Sequence, residues 1–139
     1  MRKRAVVALA AVVAAGCGAD DQPARTPAPA AKPAGPVLSL TAPPSGSGSF
    51  RYDRRRLEAP AGPVTFEMVN RDRWGHNIRI QTGRKCCFGE GAVDLGGTET
   101  AQPGQTLKAT VNLKPGRYFF VCSFTSHWGD GMWGRLTVR

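Results

Sequence analysis

The sequence has few of the residues on which enzymes and nucleic-acid-binding proteins depend. Its 139 residues include only two histidines and ten acidic side chains. No Ser/His/Asp grouping, phosphate-cradling glycine loop or pair of catalytic carboxylates is recognisable. The basic residues form no motif with interleaved aromatic residues of the kind that recognises DNA or RNA. These absences argue against an enzyme and against a protein with nucleic acid as its partner.

Long hydrophobic runs are also missing. The run from Ala5 to Ala15 is too short to span a bilayer as a mature helix. It follows the basic segment Met1 to Arg4 and leads into Ala14-Ala15-Gly16-Cys17, which resembles a bacterial lipobox. We therefore expect a lipoprotein signal peptide over residues 1–16 and lipidation of Cys17. Cleavage followed by plain secretion is the alternative.

Apolar side chains large enough to form a core are scarce in residues 17–36, where Ala and Pro dominate. Such a composition buries too little surface to offset the entropy of ordering, so this segment is expected to be a tether that starts at the lipidated cysteine. Residues 37–139 then form one folded domain. The localisation that follows is export, with anchoring to the cell membrane on its outer, periplasmic or extracellular side.

Acidic residues are outnumbered by basic ones, which gives a formal charge of +9. Loss of Arg2, Lys3 and Arg4 with the signal peptide would leave +6. A basic excess of this size is either an ordinary solvated cationic surface or a sign of acidic protein partners or anionic lipid headgroups, and no small-molecule substrate is expected.

Apolar residues recur at every second position after Pro36, which is typical of half-buried β-strands. The chemistry of Lys114-Pro115-Gly116 is that of a turn, and we expect it to close a hairpin between the strands on either side. Several short strands with frequent turns predict an all-β, two-sheet β-sandwich. The alternation is clear over Val64–Val69, His76–Gln81, Leu107–Leu113, Arg117–Cys122 and Trp133–Arg139, and weaker over Val37–Thr41, Phe50–Arg54 and Thr98–Ala101.

Four side chains form a candidate metal site. Cys122, His127 and Met132 lie in the connection between the last two predicted strands, and His76 shares the apolar face of an earlier one. Two imidazoles, a thiolate and a long axial thioether are the ligand set that binds one copper ion in both of its oxidation states. Zinc is the alternative metal, but it gains little from a thioether. Both histidines are used here, which leaves none for a second, catalytic copper.

At these residues the chain resembles the cupredoxins, which are type 1 blue copper proteins. The spacing of Cys122, His127 and Met132 is similar to that in the rusticyanin and sulfocyanin branch, and Gly75-His76-Asn77 resembles the first-ligand motif of azurins. The resemblance implies an eight-stranded Greek-key sandwich with Met132 as the axial copper ligand. It also implies that the Gly75 carbonyl lies near the metal and that Asn77 ties its loop to the backbone beside Cys122.

Together these observations predict a type 1 copper protein, not an enzyme, that transfers single electrons between extracytoplasmic redox partners. A copper-binding protein for delivery or storage is the main alternative, since it would use the same ligands, and a metal-free interaction module on the cell surface is a third. Cys86 and Cys87 have no assigned role. They could form a disulfide with each other, remain free thiols, bridge two molecules or contact a second metal.

Overall fold

The protein is described by a computed structural model that covers residues 35–46 and 49–139. The predicted signal peptide, Cys17 and nearly all of the predicted tether lie outside the described residues. None of the helices within the described ranges is long and apolar enough to cross a membrane. The elements are β1 (Val37–Ala42), β2 (Arg56–Ala59), β3 (Gly62–Asn70), β4 (Arg79–Gln81), β5 (Asp94–Gly97), β6 (Thr106–Leu113), β7 (Gly116–Val121), α1 (Thr125–Gly129) and β8 (Trp133–Val138).

The strands form two sheets, and each sheet mixes parallel with antiparallel pairs. The smaller sheet has the order β1-β3-β6 and the larger one the order β2-β8-β7-β4-β5. β1 is parallel to β3 and β2 is parallel to β8, whereas the other pairs are antiparallel. The all-β, two-sheet fold expected from the sequence is therefore confirmed.

Successive side chains of a strand point to opposite faces of its sheet, and the apolar face of each of the two sheets packs into a shared core. In β3 the side chains of Val64, Phe66 and Met68 are fully buried, and the opposite sheet contributes Phe120 and Leu136 to the same cluster. Burying one side chain of this size stabilises the fold by roughly 1.5–3 kcal/mol. The core is thus the main source of the rigidity on which a metal site at the strand ends depends.

The hairpin predicted at Lys114-Pro115-Gly116 is wrong. The chain does turn there, but β6 pairs only with β3 in the smaller sheet, and β7 pairs with β4 and β8 in the larger one. The turn therefore passes from one sheet to the other. The apolar residues of the two strands, such as Val111 and Phe120, both face the core, so the strands meet across the core instead of side by side.

Three predicted strands differ from the observed ones. Phe50–Arg54 is not a strand, and the nearest strand, β2, begins at Arg56. In Thr98–Ala101 only Ala101 forms a β-bridge, and the observed strand β5 ends just before this segment. His76 lies outside β4 and forms an isolated antiparallel bridge with Ala101. These segments are short, so tertiary contacts decide their backbone conformation.

Candidate metal centre

Three of the four predicted ligands meet in one buried cluster. The ligand atoms of His76, Cys122 and His127 all lie within 4.8 Å of one another. The Cys122 sulfur is 3.5 Å from Nδ1 of His127 and 3.9 Å from Nδ1 of His76. Both rings thus turn the same nitrogen toward the thiol, which leaves their Nε2 atoms for other partners.

The backbone of His76 is fixed by its bridge to Ala101. The His76 N–H donates to the Ala101 carbonyl at 3.1 Å, and the Ala101 N–H donates back to the His76 carbonyl at 2.8 Å. The side chain is held as well, because its Nε2 lies 3.0 Å from a carboxylate oxygen of Asp72. Partners of this kind fix the ring orientation and the tautomer of a metal-binding histidine.

Asp72 is itself buried and fully engaged. Its second oxygen accepts hydrogen bonds from the backbone N–H of Ser45 at 3.1 Å, the Ser45 hydroxyl at 2.9 Å and the Arg73 N–H at 2.7 Å. Burial alone would raise the pKa of Asp72, but the hydrogen bonds from Ser45, His76 and Arg73 outweigh it and lower the pKa to about 2. The group beside His76 is therefore a carboxylate at neutral pH.

The loop from Cys122 to Met132 is closed by hydrogen bonds between backbone groups. The Cys122 N–H donates to the Met132 carbonyl at 3.0 Å, and the Met132 N–H donates to the His127 carbonyl at 2.8 Å. The loop contains the short helix α1, in which the His127 N–H bonds the Phe124 carbonyl at 2.9 Å. Met132 is fully buried just before β8. The three residues of the loop are thus fixed relative to one another by the backbone.

Asn77 and Tyr52 connect the His76 segment to the rest of the site. The Asn77 side chain accepts a hydrogen bond from the Ser123 N–H at 2.8 Å and donates one to the Ser123 hydroxyl at 2.7 Å. The buried Tyr52 hydroxyl donates to the Asn77 carbonyl. The residues that follow His76 and Cys122 are thereby tied together. Binding of the cofactor by Gly75 and Asn77 themselves stays a prediction.

Burial sets the protonation of the three ligands. It lowers the pKa of His76, against the opposing effect of Asp72, and it lowers the pKa of His127, with a further contribution from His76. Burial raises the pKa of the Cys122 thiol, and the backbone N–H groups of Asn77 and Phe124 act in the opposite direction. Both imidazoles are therefore neutral at pH 7 and ready to bind metal, whereas the thiol has to lose a proton.

Aromatic rings surround His127. Phe50 stacks on its ring with a centroid distance of 3.8 Å and an interplanar angle of 28°, and Phe124 lies at 5.1 Å. Phe124 keeps 40% of its surface exposed, so the His127 ring lies beneath an apolar patch at the surface. The sequence did not identify Phe50, Asp72, Ser45 or Tyr52 as parts of the site. These residues lie outside the ligand motifs, and no pattern in the sequence marks them.

The donor set fits a copper ion. Two neutral imidazoles and one thiolate in a buried cluster match the trigonal arrangement of type 1 copper, and Met132 adjoins them through the backbone. Cys86 and Cys87 form a disulfide with each other, which leaves Cys122 as the free cysteine of the described part of the chain.

Comparisons with known proteins agree with this site. Residues 41–139 match the family of copper binding proteins described as the plastocyanin/azurin family. Among solved structures, reduced auracyanin from the photosynthetic bacterium Roseiflexus castenholzii is 21% identical with a TM-score of 0.60, covering 78% of this chain and 99% of its own. Rusticyanin from Thiobacillus ferrooxidans is 22% identical with a TM-score of 0.55, covering 74% of this chain and 77% of its own.

A third solved structure, the azurin Az-iso2 from Methylomonas sp. strain J, is 14% identical with a TM-score of 0.59, covering 74% of this chain and 97% of its own. No curated protein matches the chain by sequence. The solved structures establish the fold, and the family match extends over most of the described domain. The chain belongs to the plastocyanin/azurin family of copper-binding proteins, the cupredoxins, with a copper site at His76, Cys122 and His127.

Proposed function

We propose that this protein is a type 1 copper electron carrier that passes single electrons between extracytoplasmic redox partners. Members of its family are electron carriers rather than enzymes. The observation that carries the proposal is the buried cluster of one thiol and two imidazoles, whose ligand atoms lie within 4.8 Å of one another. Bound copper would supply the one-electron change between its two oxidation states.

The chain's contribution is to keep the ligands in place when the charge at the site changes. His76 is fixed by the Ala101 bridge and by Asp72, and Cys122 by backbone bonds to the Met132 segment. A site that needs little rearrangement at each transfer favours fast exchange. Met132 would hold the copper ion with its thioether sulfur, because it is fully buried and its backbone is hydrogen-bonded to both Cys122 and His127.

The surface over His127 supports an exchange of electrons with a docked protein. Phe124 is partly exposed beside the ring, and Trp128 follows His127 in the chain and contacts Phe88 at a centroid distance of 6.4 Å. An apolar surface excludes water when a partner covers it, and an apolar shell also raises the potential of a metal site. His127 is therefore the proposed point of electron entry and exit.

Replacing Cys122 by Ser tests this function. We expect the copper-loaded protein to show a strong visible thiolate-to-copper absorption and a reversible one-electron wave, and Cys122→Ser to lose both, because serine offers no soft thiolate. The double variant Cys86→Ser with Cys87→Ser is the matched control and should keep both signals. Survival of the absorption in Cys122→Ser would contradict the ligand assignment. Copper transfer to an acceptor without a reversible wave would favour delivery or storage.

The proposed localisation has its own test. If Cys17 is lipidated, the protein should fractionate with membranes, and Cys17→Ser should move it to the soluble extracytoplasmic fraction, because the acyl chains that anchor it are lost. A serine variant that stays in the membrane fraction would exclude the lipid anchor. Wild-type protein found in the soluble fraction would favour plain secretion.

A further inference from the structure

A groove lined by arginines crosses the outer face of the larger sheet, away from the core. It has a volume of about 670 Å³ and lies over β2, β8 and β7, next to the loop that follows β4. No part of the proposed copper site lines it. Its basic residues are Arg56, Arg84, Arg117, Arg135 and Arg139.

The sheet register brings these charges close together. Arg56 of β2 lies directly beside Arg135 of β8, and Thr137 of β8 separates Glu58 from Arg117. Like charges side by side on neighbouring strands destabilise a sheet. A bound anion would offset any repulsion between Arg56 and Arg135.

Most of the domain's excess charge faces this groove. The described residues carry fourteen basic and eight acidic side chains, an excess of six. The groove holds five of the basic side chains and one acidic residue, Glu58, an excess of four. Within the described ranges only Arg139 of these five forms an ion pair, with Glu58 at 3.5 Å, and the two side chains are 76% and 70% exposed. The other four guanidinium groups have no carboxylate partner there.

We infer that this groove binds an acidic segment of a redox partner, whose aspartate and glutamate carboxylates pair with the arginines. The inference rests on the proposed function, which requires a protein partner. Guanidinium groups are suited to carboxylates because the planar fork donates two parallel hydrogen bonds. Complementary charge would also speed the encounter and select among partners.

The position of the groove fits a docking role. Phe119 of β7 lines the groove and is the register partner of Arg135. It lies three residues before Cys122, which follows β7. Phe119 also contacts Trp133, the residue after Met132, with ring centroids 5.9 Å apart. A segment bound in the groove would therefore lie against the two strands that lead directly into the ligand loop.

The test measures binding of a fluorescent peptide of about ten glutamates to the copper-loaded full chain by anisotropy at low ionic strength. The groove variant is Arg117→Gln with Arg135→Gln. The matched control, Arg71→Gln with Lys108→Gln, removes the same number of positive charges from the smaller sheet. Lys108 lies on β6, and Arg71 directly follows β3. We expect the groove variant to weaken binding about tenfold and the control less than about threefold, because close charge pairs contribute more than distant ones.

An equal loss of affinity for the peptide in the groove variant and the control variant, or no binding of the peptide by the wild type, would overturn the inference. Displacement of the peptide by an equal concentration of inorganic phosphate would show a small-anion site instead. Groove-dependent binding to vesicles containing phosphatidylglycerol, tighter than binding to the peptide, would show a membrane surface instead. All variants should keep the visible absorption and the potential of the wild type. A wild type that binds the peptide but lacks the absorption would count against the proposed function alone.

Discussion

Asp72 is a buried carboxylate whose two oxygens accept four hydrogen bonds, one of them from the ring of His76. The Asp72 carboxylate carries a full negative charge beside the copper ligand His76, and the two side chains are only 2% and 1% exposed, respectively. A buried charge is little screened by solvent, so it acts on the metal site as well as on the ring. Asp72 is therefore a positioning residue that also sets the electrostatic environment of the site.

Asp72→Asn should raise the reduction potential of the copper site. A negative charge favours the more oxidised, more positive ion, and its removal favours the reduced one. Two unit charges about 7 Å apart at an effective dielectric constant of about 20 interact by about 2 kcal/mol. Each 1.4 kcal/mol corresponds to about 59 mV for one electron, so we expect a rise of up to about 100 mV by cyclic voltammetry.

A suitable control is Asp94→Asn, which removes a charge from an exposed pair with Arg79. Its effect on the potential should be small because solvent and salt screen the charge. An unchanged or lowered potential in Asp72→Asn, with the visible absorption intact, would show that the carboxylate does not act on the metal site through its charge.

At the scale of elements, β7 and β8 approach each other closely where they lead into the ligand loop. Gly134 of β8 is the register partner of Phe120 of β7. A Cβ atom at Gly134 would overlap the Phe120 ring and lie 2.6 Å from the Arg55 carbonyl oxygen. Phe120 is fully buried in the core, so its ring has no free space into which to move. Glycine is therefore needed at this position for the two strands to pack.

Gly134→Ala should reduce the free energy of unfolding by roughly 1–3 kcal/mol, the usual cost of overpacking a tight core. Denaturant unfolding monitored by fluorescence measures this cost. Gly116→Ala is the matched control on β7, because its Cβ would meet only ordinary contacts at 3.5 Å or more. If the two variants were equally stable, the close approach of β7 and β8 would not restrict residue 134.

At the scale of the whole molecule, copper binding and folding are coupled, because a metal that binds only the folded chain stabilises it. Metal binding has to displace the Cys122 proton, since burial raises the pKa of this thiol. The pKa values of His76 and His127 are lowered, so both rings are neutral near pH 7, each with a single N–H, and neither has to lose a proton to bind metal through Nδ1. Copper binding near neutral pH is therefore expected to release one proton.

The stabilisation by copper should accordingly increase with pH. Below the pKa of Cys122 the affinity rises by up to tenfold, or about 1.4 kcal/mol, for each pH unit, and the increase ends above that pKa. The measurement is the difference in free energy of unfolding between copper-loaded and copper-free protein from about pH 6.5 to about pH 8.5, with the same free copper concentration in all copper-loaded samples. Cys122→Ser should show no such slope. A pH-independent difference for the wild type would mean that the thiol is already ionised.

Much of the site could be predicted from local features of the sequence. Cys122, His127 and Met132 lie on one loop, so their spacing alone places them together, and the alternation of Val64, Phe66 and Met68 identifies an inward face. The identity of the metal follows from the chemistry of the side chains. The remote ligand His76 is predicted from its imidazole and its place on the apolar face of an earlier strand, and the resemblance of Gly75-His76-Asn77 to a first-ligand motif supports it.

The sequence by itself determined the strand-rich class and the ligand types, because alternation and donor chemistry are properties of neighbouring residues. Only the tertiary structure decided that the Lys114-Pro115-Gly116 turn joins two different sheets, since a turn signal reports a change of direction and not the partner of the next strand. It also decided that Asp72 and Phe50 contact the two histidines. Such contacts join segments far apart in the chain, and their energies depend on a fold that the local pattern does not contain.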